Sequence, residues 1–96
     1  MGEYINETEV LQRALDTYGS VKQIAMVFEE MSELKKELWK YLRGRGSLEH
    51  IAEEIADVEI MLEQMKMLFC CTDDVRNERR RKVERLKERL DGSGVG

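Results

Sequence analysis

The sequence predicts an all-α chain, a four-helix bundle-like arrangement with two long central antiparallel helices that assembles into a helical oligomer. Three observations lead there. The 96 residues contain no proline, and the strong helix formers Glu, Lys, Arg, Leu and Met are abundant. Apolar residues recur every three or four positions through four segments, with no strand-like alternation. Capping residues or glycines bound these segments. Apolar residues make up 42% of the chain, and at helical spacing they exclude a disordered polymer. Residues 1–91 read as one helical domain and 92–96, ending in "GVG", as a flexible tail.

The first helix is predicted over 7–18. Asn6 and Glu9 have the form of a capping box, Val10, Leu11, Ala14, Leu15 and Tyr18 follow at helical spacing, and Gly19 is the stop. Ser20 and Gln23 form a second box, and Ile24, Val27, Phe28, Met31, Leu34, Leu38 and Tyr41 carry a second helix over 21–43. The "RGRG" stretch, Arg43 to Gly46, ends it. Ser47 is the N-cap of a third helix over 48–70. Its apolar arc is wide: Ile51, Ala52, Ile55, Val58, Met61, Leu62, Met65, Leu68 and Phe69, broadened by Ile60 and Met67. An arc that wide calls for several neighbours, some of them from a second copy. Thr72 caps a fourth helix over 73–90, with Asp73 and Asp74 where the helix dipole favours acids, and with a narrow seam of Val75, Val83, Leu86 and Leu90.

Charge is unevenly spread. The net charge is −4, yet residues 1–75 carry −8 and residues 76–90 carry +5. The acidic body argues against nucleic acid as a partner, and no base-reading motif is present. No apolar run approaches the length of a membrane span, and "MGEYINETEV" lacks the basic and apolar regions of a signal peptide. The only cysteines, Cys70 and Cys71, are adjacent. They make neither a disulfide staple nor a zinc set, so they read as reduced packing residues and fit a cytoplasmic location.

One pattern is written twice. Glu29, Glu30 and Glu33 in "FEEMSEL" recur as Glu53, Glu54 and Asp57 in "AEEIADV", 24 residues later. Acids three apart share one side of a helix. The stripe Gln23, Met26, Glu30, Glu33, Glu37 on the second helix and the stripe His50, Glu54, Asp57, Met61, Gln64 on the third mix acids with apolar residues, so each lies near the core boundary. The tight connection makes the two helices antiparallel neighbours, and Glu30 and Glu33 would face Glu54 and Asp57. Carboxylates so placed repel, and partial burial adds to the cost unless a cation intervenes. Oxygen ligands alone suit a hard divalent cation: Mg²⁺, with Mn²⁺ as the alternative. The competing reading is an ordinary acidic surface, since 15 of 96 residues are Glu.

These residues resemble a family. "EEMSE" followed by "EEIAD", with the flanks "YGSVKQIAMVFEEMSELKKEL" and "EEIADVEIMLEQM", is similar to the signature of the MazG-like, all-α nucleoside triphosphate pyrophosphohydrolases. The resemblance covers about residues 10–90. It implies that Glu30, Glu33, Glu54 and Asp57 hold Mg²⁺, with Glu29 and Glu53 outside them or simply exposed. It implies cleavage of a nucleoside triphosphate to the monophosphate and pyrophosphate, with Glu30 or Glu33 orienting the attacking water. A lysine and an arginine on the last helix near the phosphates would be Lys82 and Arg85, with Arg81 and Arg89 as alternatives one turn away. Gln23 falls where the family often has a Gln, and a cap to the second helix is the equal alternative. The resemblance further implies a homodimer or homotetramer with active sites shared between subunits. The rival from another class is a non-catalytic helical oligomer, an adaptor or regulatory subunit using the same apolar arcs.

Overall fold

The computed structural model describes residues 4–93. Four α-helices follow in order: α1 Glu7–Tyr18, α2 Ser20–Leu42, α3 Leu48–Leu68 and α4 Thr72–Ser93. No strand occurs among the described residues. Among them, too, no helix is long and apolar enough to cross a membrane.

The caps explain most of the boundaries. Asn6 Oδ1 accepts a hydrogen bond from the Glu9 backbone N–H at 3.1 Å, which starts α1 as expected. Ser47 Oγ accepts from the His50 N–H at 3.3 Å and starts α3. The Ser20–Gln23 box does not form. Gly19 serves both as the C-cap of α1 and as the N-cap of α2, with no side-chain cap. Its φ of 88° and ψ of 159° are open only to a residue without Cβ. The chain therefore re-enters a helix within one residue, and the Gln23 side chain is released into the core. Thr72 is likewise the first residue of α4, not its cap.

Three ends move. α2 stops at Leu42, one residue early, with Arg43 as its C-cap. α3 stops at Leu68, two residues before the predicted 70, because Cys70 adopts φ 52° and its N–H turns back to the Met67 carbonyl at 3.2 Å. α4 runs on to Ser93, so Gly92 and Ser93 of the expected tail are helical, and residues 94–96 lie outside the described residues. The cysteines are free; Cys71 is half-buried but Cys70 is exposed and does not pack.

The closest packing is between antiparallel α2 and α3, and α1 lies against both. The core is small: Leu11 and Leu15 of α1, Val27 of α2 and Met61 of α3. Phe28, Met31, Leu38 and Tyr41, expected on the inner stripe of α2, are exposed. The reason is length: α1 has 12 residues and covers only part of the 23-residue α2. α4 does not supply the missing cover. It approaches α3 alone, and its described residues from Thr72 onward are exposed, the seam residues Val75, Val83, Leu86 and Leu90 among them.

Candidate metal centre

The 3.6-residue period brings Glu30 and Glu33 of α2 to one edge of the α2–α3 seam, and Glu54 and Asp57 of α3 to the same edge. Antiparallel packing then juxtaposes them. One oxygen from each of Glu30, Glu54 and Asp57 lies within 4.8 Å of the other two. Glu30 and Glu54 are half-buried and Asp57 is exposed. Glu33 is not part of that tight trio, but its charge reaches both Glu30 and Glu54. It stands exposed, one turn along α2. A shallow groove of about 400 Å³, lined by Phe28, Glu29, Glu30, Ser32 and Glu33, opens beside them.

Crowding perturbs two of these acids. The Glu30 carboxyl is raised above its ordinary 4.5, first by burial, then by the charges of Asp57 and Glu54, by a hydrogen bond with the Asp57 carboxyl and by Glu33. Glu54 is raised in the same way, first by burial and then by Asp57, Glu33, Glu37 and Glu53. One oxygen of Glu54, Oε2, is fully buried and has no hydrogen-bond partner. A buried acceptor normally finds a donor. Here three carboxylates bring oxygen donors together, and one of the three residues, Glu54, also holds a buried oxygen without a protein partner; a set of hard oxygen donors fits a hard divalent cation.

The stripes continue on either side of the acids. Glu37 is 93% buried and bridges Lys40 Nζ at 2.9 Å, with His50 Nδ1 at 3.6 Å. His50 thus touches Glu37, and its backbone N–H is what Ser47 caps. At the other end Gln23 Nε2 donates to Gln64 Oε1 at 2.6 Å, both side chains being almost wholly buried. Gln23 Oε1 is left without a partner. Turning both amides over only exchanges which atom is orphaned. The sequence places Gln64 on its stripe but does not reveal this pairing; its signal was a polar residue where the apolar arc of α3 is widest.

Compared with known protein families, with curated proteins and with solved structures, the chain matches none.

Lys82 and Arg85 lie on α4, which approaches α3 and no other helix. Both are exposed. Their nearest electrostatic effect is local: with Arg81 foremost, they hold the Glu78 carboxyl below its ordinary value. Lys82 also lines a surface groove with Asp74, Val75, Glu78, Val83 and Leu86. Arg81 bonds Glu78 directly. Glu29 and Glu53 are exposed on the flanks.

Proposed function

We propose that the chain is a MazG-like nucleoside triphosphate pyrophosphohydrolase that uses Mg²⁺, or Mn²⁺ in its place, and acts in the cytoplasm as a homodimer or homotetramer. The observation that carries this reading is the convergence of Glu30, Glu54 and Asp57 oxygens within 4.8 Å, with Glu54 Oε2 buried and unpartnered. Such a trio is costly without a cation and useful with one.

Glu30, Glu54 and Asp57 would present the oxygens that hold the metal, with Glu33 as the fourth acid of the set. The chemistry that a divalent cation supplies when bound is polarisation of phosphate oxygens and a lowered pKa for water. Glu33, exposed one turn along α2, orients the attacking water and accepts its proton at a carboxylate oxygen. The water oxygen bonds to the α-phosphorus as the anhydride between the α- and β-phosphates breaks, so the monophosphate forms and pyrophosphate leaves. Lys82 and Arg85 bind phosphate oxygens and offset the charge that develops there. Because α4 stands off its own α2, the basic helix reaches an acidic face in the assembly, where one copy lays α4 against another.

Two measurements test this together. Pyrophosphate release from a panel of nucleoside triphosphates should require Mg²⁺ and be abolished in Glu54→Gln and Asp57→Asn. Calorimetric titration should show saturable Mg²⁺ binding that both variants weaken strongly. Lys82→Ala should leave metal affinity unchanged but lower kcat/KM by roughly 10- to 1000-fold, the range for losing one charge-stabilising donor. Folded, assembled protein with no release from any nucleotide would leave the adaptor reading in place of the enzyme.

A further inference from the structure

The outer face of α2 carries a feature that the acid site does not use. Lys35, Lys36, Trp39, Lys40, Arg43 and Arg45 line an open groove of about 630 Å³. Trp39 follows Glu30 by nine residues, two and a half helical turns, so the indole lies on the side of α2 opposite Glu30, while Ser32 and Lys40 mark the edge where the groove adjoins the acidic stripe.

All but one of the described cations in this groove lack an ion pair. Lys40 is held by Glu37. Among the described residues no ion pair includes Lys35, Lys36, Arg43 or Arg45. Lys36 and Lys40 are four apart, and Lys40 and Arg43 three apart; like charges at these spacings weaken a helix. The negative end of the helix dipole explains cations in the last turn of α2. It does not explain Lys35 and Lys36, which precede Leu42 by seven and six residues, because the effect fades beyond the final turn.

The groove is also pre-shaped. The Arg45 N–H donates to the Lys40 carbonyl at 2.9 Å, which folds the loop back along the helix. Gly46 permits this, since a Cβ there would lie 2.7 Å from the Tyr41 Cα. Between the two sets of cations stands Trp39, 51% exposed. An indole face flanked by unpaired cations is complementary to an aromatic ring that bears several anionic oxygens. The volume suits a small ligand, and the acidic remainder of the body disfavours a long polyanionic strand.

We infer that the outer face of α2 binds a nucleoside polyphosphate, with its base stacked on Trp39 and its phosphates spanning Lys35, Lys36, Arg43 and Arg45. This site needs no divalent cation and does not depend on the acids being catalytic.

Trp39 is the sole tryptophan, so its fluorescence reports on this face of α2, where the indole also borders the apolar groove of Leu34, Leu38 and Leu42. The full chain is titrated with ATP in low-salt buffer containing EDTA. Saturable quenching is expected, weakened at least tenfold in a Lys36→Glu, Arg43→Glu double variant and unchanged in Glu54→Gln. Inorganic tripolyphosphate should need at least tenfold more to compete. No saturable change at millimolar ATP overturns the inference. So does tripolyphosphate competing as well as ATP, which removes the base from recognition. A single-stranded oligonucleotide that binds far more tightly and is not displaced by ATP makes the face a nucleic-acid surface instead. Emission already typical of a buried indole and indifferent to ATP makes it an interface between copies.

Discussion

Glu30 sits where the fold works against its own charge. Burial, Asp57 and Glu54 all favour its protonated form. A carboxyl whose folded pKa is raised binds more protons in the native state than in the unfolded one. The metal-free protein therefore carries no penalty below the ordinary 4.5 and loses stability as pH rises from there through the raised value. Glu54 acts in the same direction. The metal-free protein should thus melt at a lower temperature at neutral pH than in mild acid. Glu30→Gln should raise the neutral Tm and flatten the pH dependence, and saturating Mg²⁺ should do the same for the wild type. Thermal melts of both proteins in EDTA and in Mg²⁺ decide it. A Glu30→Gln protein less stable than the wild type in EDTA at neutral pH would show that the acids are satisfied without a cation.

At the scale of the helix pair, the Gln23–Gln64 bond ties α2 to α3 inside the core. Its value lies in what removing one partner leaves behind. Gln64→Leu strands both polar atoms of the Gln23 amide and should cost about 1–3 kcal/mol. Replacing both glutamines by leucine removes the orphan and should recover much of that loss. Urea unfolding of the single and double variants measures the coupling; additive losses would mean that the pair contributes as two independent side chains. This pairing also accounts for the failed capping box, because a Gln23 side chain engaged with Gln64 is not available to the N-terminus of α2. The stripes of acids were legible because a helix converts three- and four-residue spacing directly into a shared face. The register between the stripes was not, since it depends on how far α3 slides along α2.

For the whole molecule the decisive quantity is uncovered surface. The chain exposes 8113 Å², against about 5,700 Å² for a compact protein of its mass. Its radius of gyration is 17.3 Å, against about 12.5 Å for a compact domain of this length. The excess of about 2,400 Å² per chain, doubled over two copies, is on the scale of the total area that a large obligate interface buries, and Val83, Leu86, Met31 and Leu38 are among the exposed apolar residues. Light scattering at micromolar concentration should therefore give the mass of two or four chains. A folded monomer of 11.3 kDa would refute the assembly and oblige the acids and the basic helix to meet within one chain.

Helix content, the approximate ends of all four helices and the faces that carry acids were determined by the sequence itself. These properties are local: caps, glycines and periodicity act over a few residues, as at Asn6, Gly19 and Ser47. Tertiary structure alone decided that Glu30, Glu54 and Asp57 form the tight trio while Glu33 stands one turn outside it. It alone decided that Gln23 pairs with Gln64 and that α4 leaves its own chain's core uncovered. The physical reason is that these outcomes depend on the register and angle between helices, which packing sets across the seam and no short stretch of residues encodes.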